Sequence, residues 1–237
     1  MSDFLKKLYA FPFVAAVYVW LSLSGFFVYP FFLITGFKEA QLRNFIYVQG
    51  SVVQLAILFV SVFNKKITKK RLIERPSILV ANHPCTYDTF LFSDFGIKNL
   101  VCIAKGWPFR IPFYGTYIAK GGYINSDGKT AEQIIEEVRK KLSQGLHIGI
   151  FPEGTRRKTT GRFHSLAFEA AIKTKTPVVP FVIKGLEELL PPGSYFPKKA
   201  DVEYIQLDSV SPKQFEGDAG GLKMARYVKK LIVSQLK

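Results

Sequence analysis

Apolar positions follow two regimes along the chain. Residues 8–37 carry no charged side chain, a second uncharged stretch covers 44–64, and beyond Lys65 short apolar runs alternate with mixed polar segments. A helix needs about 20 apolar residues to cross the hydrocarbon core of a bilayer. Residues 9–37 exceed that length, with Pro12, Gly25 and Pro30 as interruptions; residues 45–63 just reach it, with Gln49, Ser51 and Gln54 as mild polar breaks. The polar link Lys38-Glu39-Ala40-Gln41-Leu42-Arg43 joins the two into an apolar helical hairpin. The first stretch is too long for the apolar region of a cleaved signal peptide, about 7–15 residues, and a second one follows it. Prolines near both ends of the first stretch leave open whether the hairpin spans a bilayer or enters one leaflet.

From residue 65 onward, runs rich in β-branched residues recur at 77–81, 100–104, 117–119 with 123–124, 147–151, 178–183 and 202–207. Most are nearly continuous in their apolarity, the pattern of strands covered on both faces. Helices are predicted between them. Residues 130–143 place Ile134, Ile135, Val138 and Leu142 on one face and the pairs Glu136–Lys140 and Glu137–Lys141 on the other. Asp127 can cap the start of this helix, and Gly145 sits just past its end. Residues 164–174 and 222–236 predict two more helices, the last basic on its outer face. Strands alternating with helices predict an α/β domain with a mostly parallel central sheet flanked by helices. The expected division is an N-terminal membrane-associated helical hairpin over 1–64 and an α/β domain over 65–237.

Charge then narrows the partners. With 33 Lys and Arg against 18 Asp and Glu, the net charge is +15, which suits an anionic surface. No nucleic-acid-binding module accompanies the charge, and the apolar N-terminus favours a membrane phospholipid surface, with no nucleic acid partner. Lys6 and Lys7 precede the hairpin, and Lys65, Lys66, Lys69, Lys70 and Arg71 follow it. Positive charge marks the cytoplasmic side, so both ends and the following domain are expected at the cytoplasmic face of a membrane. The second cluster would face anionic headgroups at roughly 1 kcal/mol per cation. Two cysteines, Cys85 and Cys102, are too few for a disulfide framework; they fit a reducing compartment, although one pair could bridge.

Candidate chemistry sits after two of the predicted strands. The first ends in Asn82-His83-Pro84-Cys85-Thr86-Tyr87-Asp88, and ligands of open α/β sheets bind beyond the carboxyl ends of strands. A histidine can take the proton of an attacking hydroxyl if a carboxylate fixes its tautomer. One continuous helix would turn Asp88 away from His83. Pro84 instead predicts a turn, with a helix starting near Thr86, that folds the carboxylate back onto the imidazole. By themselves a His and an Asp at this spacing also describe a structural pair. The second segment is Phe151-Pro152-Glu153-Gly154-Thr155-Arg156. Pro152 and Gly154 predict a tight turn from which Glu153, Thr155 and Arg156 project. Arginine grips phosphate through bidentate charge-assisted bonds, and Glu153 can accept a hydroxyl or orient the arginine. Alone, such a loop also describes an ordinary surface turn. The histidines at 83, 147 and 164 show no metal-ligand spacing, so no metal is expected, and His147 inside an apolar strand reads as a core residue.

Taken together, the two segments closely resemble the glycerophospholipid acyltransferase family, best known through the 1-acylglycerol-3-phosphate acyltransferases. His83 and Asp88 match its first block, a His, four residues and an Asp; residues 151–156 match its third block, Phe-Pro-Glu-Gly-Thr-Arg, without a change. Lys105, Pro112 and Gly115 match its second block more loosely, and Val178-Val-Pro180-Phe181 its fourth. The resemblance covers about residues 77–185, and an N-terminal apolar helix pair is a common family feature. Two departures stand out. Residues 122–126 read Gly-Tyr-Ile-Asn-Ser where the family usually has an arginine, and Phe163-His164-Ser165-Leu166 replaces the family's Phe-Lys-x-Gly. Lys105, Lys120 or Arg162 could supply the missing cations.

The resemblance implies direct acyl transfer to a phosphate-bearing lysolipid, with lysophosphatidic acid first and glycerol-3-phosphate, another lysophospholipid or a lyso-aminolipid left open by the missing cations. His83 and Asp88 would be catalytic, and Glu153, Gly154, Thr155, Arg156 and Lys105 would bind substrate. No cofactor is implied; acyl-CoA or acyl-carrier protein is the co-substrate. The apolar segment Trp107-Pro-Phe-Arg-Ile-Pro-Phe-Tyr114 could help line an acyl groove or simply pack. Two rivals remain: Cys85 as an acylated nucleophile, and a noncatalytic lipid- or nucleic-acid-binding protein held to the membrane by the hairpin.

Overall fold

A computed structural model describes residues 3–61, 65–68, 73, 75–85, 87–189 and 200–236, with the side chains of 3–18, 56–61 and 65 outside that description. Two long helices come first, α1 (Asp3–Thr35) and α2 (Glu39–Ser61). Gly25 and Pro30 do not break α1, and the polar link shortens to a turn at 36–38, closed by positive φ at Gly36 and Phe37. Glu39 and Arg43 already belong to α2 and pair within its first turn. Among the described residues, no helix is long and apolar enough to cross a membrane.

The remaining elements are β1 (Lys65–Thr68), β2 (Ile78–Ala81), α3 (Leu91–Asp94), β3 (Leu100–Ala104), α4 (Tyr114–Lys120), β4 (Ile124–Asn125), α5 (Ala131–Ser143), β5 (His147–Ile150), α6 (Leu166–Thr174), β6 (Val178–Lys184), α7 (Leu186–Leu189), β7 (Val202–Gln206) and α8 (Gly220–Leu236). One seven-stranded sheet has the order β1-β7-β6-β2-β5-β3-β4. Strands β6, β2, β5, β3 and β4 run parallel, and β7 pairs antiparallel to β6 with β1 parallel to β7. The expected mostly parallel sheet is therefore present.

Every residue of β2 is buried, as its unbroken apolar run requires of a strand with helices on both faces. One face packs Val80, Ile148 and Val178 against Ile134 and Val138 of α5, Phe168 of α6 and Val228 of α8. The other packs Leu79, Phe181 and Tyr204 against Val53 of α2, Leu91 and Phe92 of α3 and Leu186 of α7. Pro180 lies inside β6, where its missing N–H should break a ladder. Its carbonyl accepts Leu207 N at the end of the β6–β7 pairing, and the facing chain resumes only at the Val178–Val210 bridge. Between these points Asp208 and Ser209 are exposed, so the ladder is already interrupted where the proline sits.

Several local expectations need correction. Residues 117–119 lie in α4, not in a strand. Tyr117 and Ile118 pack with Phe32, Leu42 and Ile46, and the Tyr117 hydroxyl donates to the Gly25 carbonyl, so contact with α1 and α2 decides the form of a run too short to decide for itself. Helix α5 is capped by Thr130, not Asp127. The Thr130 hydroxyl accepts Gln133 N, and the Gln133 side chain accepts Thr130 N, a reciprocal box. The expected i,i+4 pairs of α5 are replaced by nearer partners: Glu136 with Arg139, Glu137 with Lys129, and Lys141 with Glu39. Burial pushes the Glu39 carboxyl up, but Lys141 and Arg43 together hold it below its ordinary value. Arg43 also donates to the Gly121 carbonyl, so this cluster joins α2 to α4 and α5. Strand β1 went unforeseen because Lys-Lys-Ile-Thr reads as a polar flank. Of the basic cluster after the hairpin, Lys69, Lys70 and Arg71 lie outside the described residues, as does Thr86.

Candidate active site

Strand β2 hands the chain to His83 through Asn82, whose buried amide accepts Ile183 N and donates to Ile183 O, both at 2.8 Å. The side chain thereby extends the β2–β6 pairing one residue past the strand and fixes where His83 leaves the sheet. A 3₁₀ turn at Tyr87–Phe90 then brings Asp88 back. Both Asp88 carboxylate oxygens lie 2.9 Å from His83 Nδ1, and Oδ2 also accepts Cys85 N at 2.8 Å. The carboxylate does fold back onto the imidazole, through a 3₁₀ turn rather than an α-helix. Asp88 is fully buried. Burial pushes its carboxyl above the usual range, against the pull of the His83 imidazole, the Cys85 N–H and the positive charge of Arg156. The imidazole stacks on the Phe151 ring with centroids 4.5 Å apart and keeps 13% of its side-chain surface exposed. A carboxylate on Nδ1 selects the tautomer with its proton there and leaves Nε2 as the basic nitrogen.

The loop after β5 closes on this pair. Glu153 is buried; its Oε1 accepts His83 N at 3.0 Å and its Oε2 accepts Gly161 N at 2.6 Å. Arg157 N donates to His83 O at 3.0 Å, so both backbone polar groups of His83 are held by this one loop. Gly154 takes positive φ at the turn, which favours glycine. At Gly161 a Cβ would come within 2.6 Å of the Arg157 side chain and 3.2 Å of Glu153 Oε2. Thr155 and Arg156 face outward, as expected, Gly154 is exposed at the turn, and Glu153 points inward against expectation. Asn82 and Phe151 lie in the candidate segments but take no role from the sequence, and Gly161 lies outside those segments. An asparagine beside a candidate base and a glycine inside a basic loop are the signals that could have found two of them.

Lys105 is exposed directly after β3, and β3 runs parallel to β5, so it shares the sheet edge that carries the 151–161 loop. His164 N donates to Pro152 O, and its ring lies beside Gly154, 3.6 Å from where a Cβ would sit. Lys120 lies over the Phe37 ring at the turn between α1 and α2. His147 begins β5 at the opposite sheet edge, where its Nδ1 accepts Ser77 N and burial lowers its pKa; it is a satisfied structural residue. Both cysteines are free thiols, with Cys85 buried and the Cys102 thiol pushed up to about 12 by burial. Among the described residues no group of three or more His, Cys, Asp or Glu side chains is placed to hold a metal ion.

The sequence profile of a family described as acyltransferase matches residues 60–184, more than half of the chain. The chain belongs to the acyltransferase family. Its relatives include the 1-acyl-sn-glycerol-3-phosphate acyltransferases of Saccharomyces cerevisiae (29% identical over 136 residues, covering 54% of this chain and 45% of that protein) and Helicobacter pylori (28% over 141 residues, 57% and 60%). The chain thus spans about half the length of the curated relatives it matches. Among solved structures, the 1-acyl-sn-glycerophosphate (LPA) acyltransferase of Thermotoga maritima superimposes with a TM-score of 0.77 at 22% identity, over 97% of this chain and 95% of that one. At that identity the likeness speaks for the shared fold, the two N-terminal helices included.

Proposed function

We propose that this acyltransferase moves a fatty-acyl group from acyl-CoA or acyl-carrier protein onto the free hydroxyl of 1-acylglycerol-3-phosphate, making phosphatidic acid. The observation that carries the reading is the coupling of two segments seventy residues apart. Glu153 and Arg157 grip the backbone of His83, so the His83–Asp88 pair and the arginine loop form one rigid unit. A base and an anion grip held in fixed relation suit an acceptor with a hydroxyl and a phosphate on one small scaffold.

In the proposed step, His83 Nε2 takes the proton of the acceptor hydroxyl as its oxygen attacks the thioester carbonyl carbon. The tetrahedral intermediate collapses with loss of the C–S bond, and the leaving thiolate takes the proton back from His83. A C–O bond replaces a C–S bond, no acyl-enzyme forms, and neither cofactor nor metal takes part. Asp88 orients the imidazole and stabilises its cation. Arg156, with Thr155, the Gly154 backbone and Lys105, holds the acceptor phosphate. Glu153 contributes to substrate binding by positioning, since both its oxygens already accept backbone N–H groups. Cys85 is buried beside the pair and offers its backbone N–H to Asp88, which supports a structural place rather than a nucleophile's.

The acceptor resides in a membrane, and we assign residues 1–64 to association with a phospholipid surface, with the 65–237 domain on the cytoplasmic side. Exposed apolar side chains along α1, including Trp20, Leu23, Phe27 and Ile34, support that assignment. The test is transfer of labelled palmitate from acyl-CoA and from acyl-carrier protein to a panel of lysolipids. Fastest transfer to lysophosphatidic acid supports the reading. Preference for glycerol-3-phosphate or another lysophospholipid or lyso-aminolipid would keep the reaction and replace the acceptor, and lipid binding without transfer would point to a noncatalytic protein.

A further inference from the structure

The segment that follows β3 exposes large apolar side chains next to cations. A 3₁₀ turn at Trp107–Arg110 and the residues after it leave Trp107 53% and Ile111 38% exposed, with Lys105, Arg110 and Pro112 exposed between and beside them. The turn is firmly seated. Gly115 N donates to Ile111 O, and a Cβ on Gly115 would meet the Phe109 carbonyl oxygen at 2.2 Å, so α4 accepts the turn only because glycine stands there. Phe113, which ends the turn, packs edge-on against Phe26 and Tyr29 of α1 with centroids 5.6 and 5.5 Å away. Phe26 is itself half exposed and borders the outward face of α1 formed by Trp20, Leu23, Phe27, Phe31 and Ile34. The exposed residues of the turn therefore adjoin that face across the Phe26–Phe113 contact.

We propose that the turn at 105–113 is a second membrane contact, in which Trp107, Ile111 and Pro112 enter the headgroup region of an anionic bilayer while Arg110 meets its phosphates and Lys105 stays with the acceptor phosphate. The proposal rests on the reading that the enzyme works on a phospholipid surface. Three features select a bilayer as the occupant. Tryptophan concentrates at the membrane–water interface because its ring is apolar with one polar edge. The cations alternate with the apolar residues, which matches a surface where phosphates overlie hydrocarbon. The patch also adjoins an apolar helix face rather than standing alone on a polar surface. In consequence the sheet edge that carries Lys105 and the 151–161 loop faces the plane in which a lysolipid phosphate lies, so an acceptor would reach the arginine loop without leaving the interface.

Trp20 and Trp107 are the two tryptophans of the chain, which makes the test direct. In full-length Trp20→Phe protein the fluorescence reports position 107; in Trp107→Phe it reports position 20 on α1. Each is mixed with vesicles of phosphatidylcholine containing phosphatidylglycerol, with and without acyl chains brominated near the headgroup, and binding is scored by co-flotation. The proposal predicts a blue shift and bromine quenching of Trp107 in the floated protein, and about fivefold weaker partitioning of Arg110→Ala to these vesicles with no change on neutral ones. Floated protein with quenched Trp20 and unmoved Trp107 would overturn this proposal and leave the membrane reading intact. Folded protein that does not float with either vesicle would overturn both.

Discussion

Replacing Glu153 by glutamine tests whether the loop and the catalytic pair are one unit. The carboxylate accepts two backbone N–H groups, His83 N at 3.0 Å and Gly161 N at 2.6 Å. A glutamine of the same shape presents one oxygen and one NH₂, so in either orientation one backbone donor faces another donor. The retained bond also loses its charge assistance. Bonds to a charged group contribute about 1.5–3 kcal/mol and neutral ones about 0.5–1.5, while an unpaired buried donor costs about 1–3. Because the Gly161 site is only partly buried, the sum lies near the low end, about 2–3 kcal/mol. For a chain of this size that lowers Tm by roughly 4–12 °C. Activity should suffer separately, since a displacement of about 1 Å in a catalytic constellation costs on the order of 10²-fold. Urea and thermal unfolding beside steady-state kinetics give both numbers. A Tm within a degree of wild type together with kcat/KM within twofold would refute the argument that Glu153 couples the two segments.

Arg156→Ala should lower kcat/KM for a phosphate-bearing acceptor by about 10²-fold, at the modest end for truncating one side of a charge pair, while transfer to a neutral monoacylglycerol changes little; equal losses on both would remove the phosphate assignment. Asp88→Asn should lower kcat by about 10³–10⁴-fold by favouring the wrong imidazole tautomer. The same variant carries a pH signature. The Asp88 carboxyl is raised by burial in the fold, so the folded protein binds its proton more tightly than the unfolded chain does. Its contribution to stability is fully present below the ordinary carboxylate range and is lost as pH rises through the folded value. Urea unfolding of wild type and Asp88→Asn should therefore show a larger penalty for the substitution near pH 3 than at pH 7, and the opposite trend would contradict the raised carboxyl.

What the sequence revealed depended on how local the signal was. Ile78–Ala81 and Val178–Lys184 were legible because an unbroken apolar run bounded by polar residues has few other readings, and the return of Asp88 to His83 followed from Pro84. Tyr117 and Ile118 misled because a three-residue apolar run has no period of its own; Gly25, Phe32 and Ile46, far off in sequence, decide that it is a helix. Lys65–Thr68 was passed over because an edge strand with two lysines carries no apolar pattern. Glu153 looked like an outward loop carboxylate, and only its distant partner, His83 N, and the glycine at 161 turn it inward. Local capping behaved the same way: Asp127 and Thr130 both precede α5, and the reciprocal bond with Gln133 selects Thr130.

The most direct measurement is acyl transfer to lysophosphatidic acid by purified wild type and His83→Ala in the same detergent, with labelled palmitoyl-CoA and acyl-carrier protein as donors and unfolding curves for both proteins. The account predicts phosphatidic acid from the wild type and a loss of about 10²–10⁴-fold in an equally folded mutant, as expected when a general base is removed from the transition state. Equal transfer by both proteins, or none by folded wild type from either donor, would contradict it.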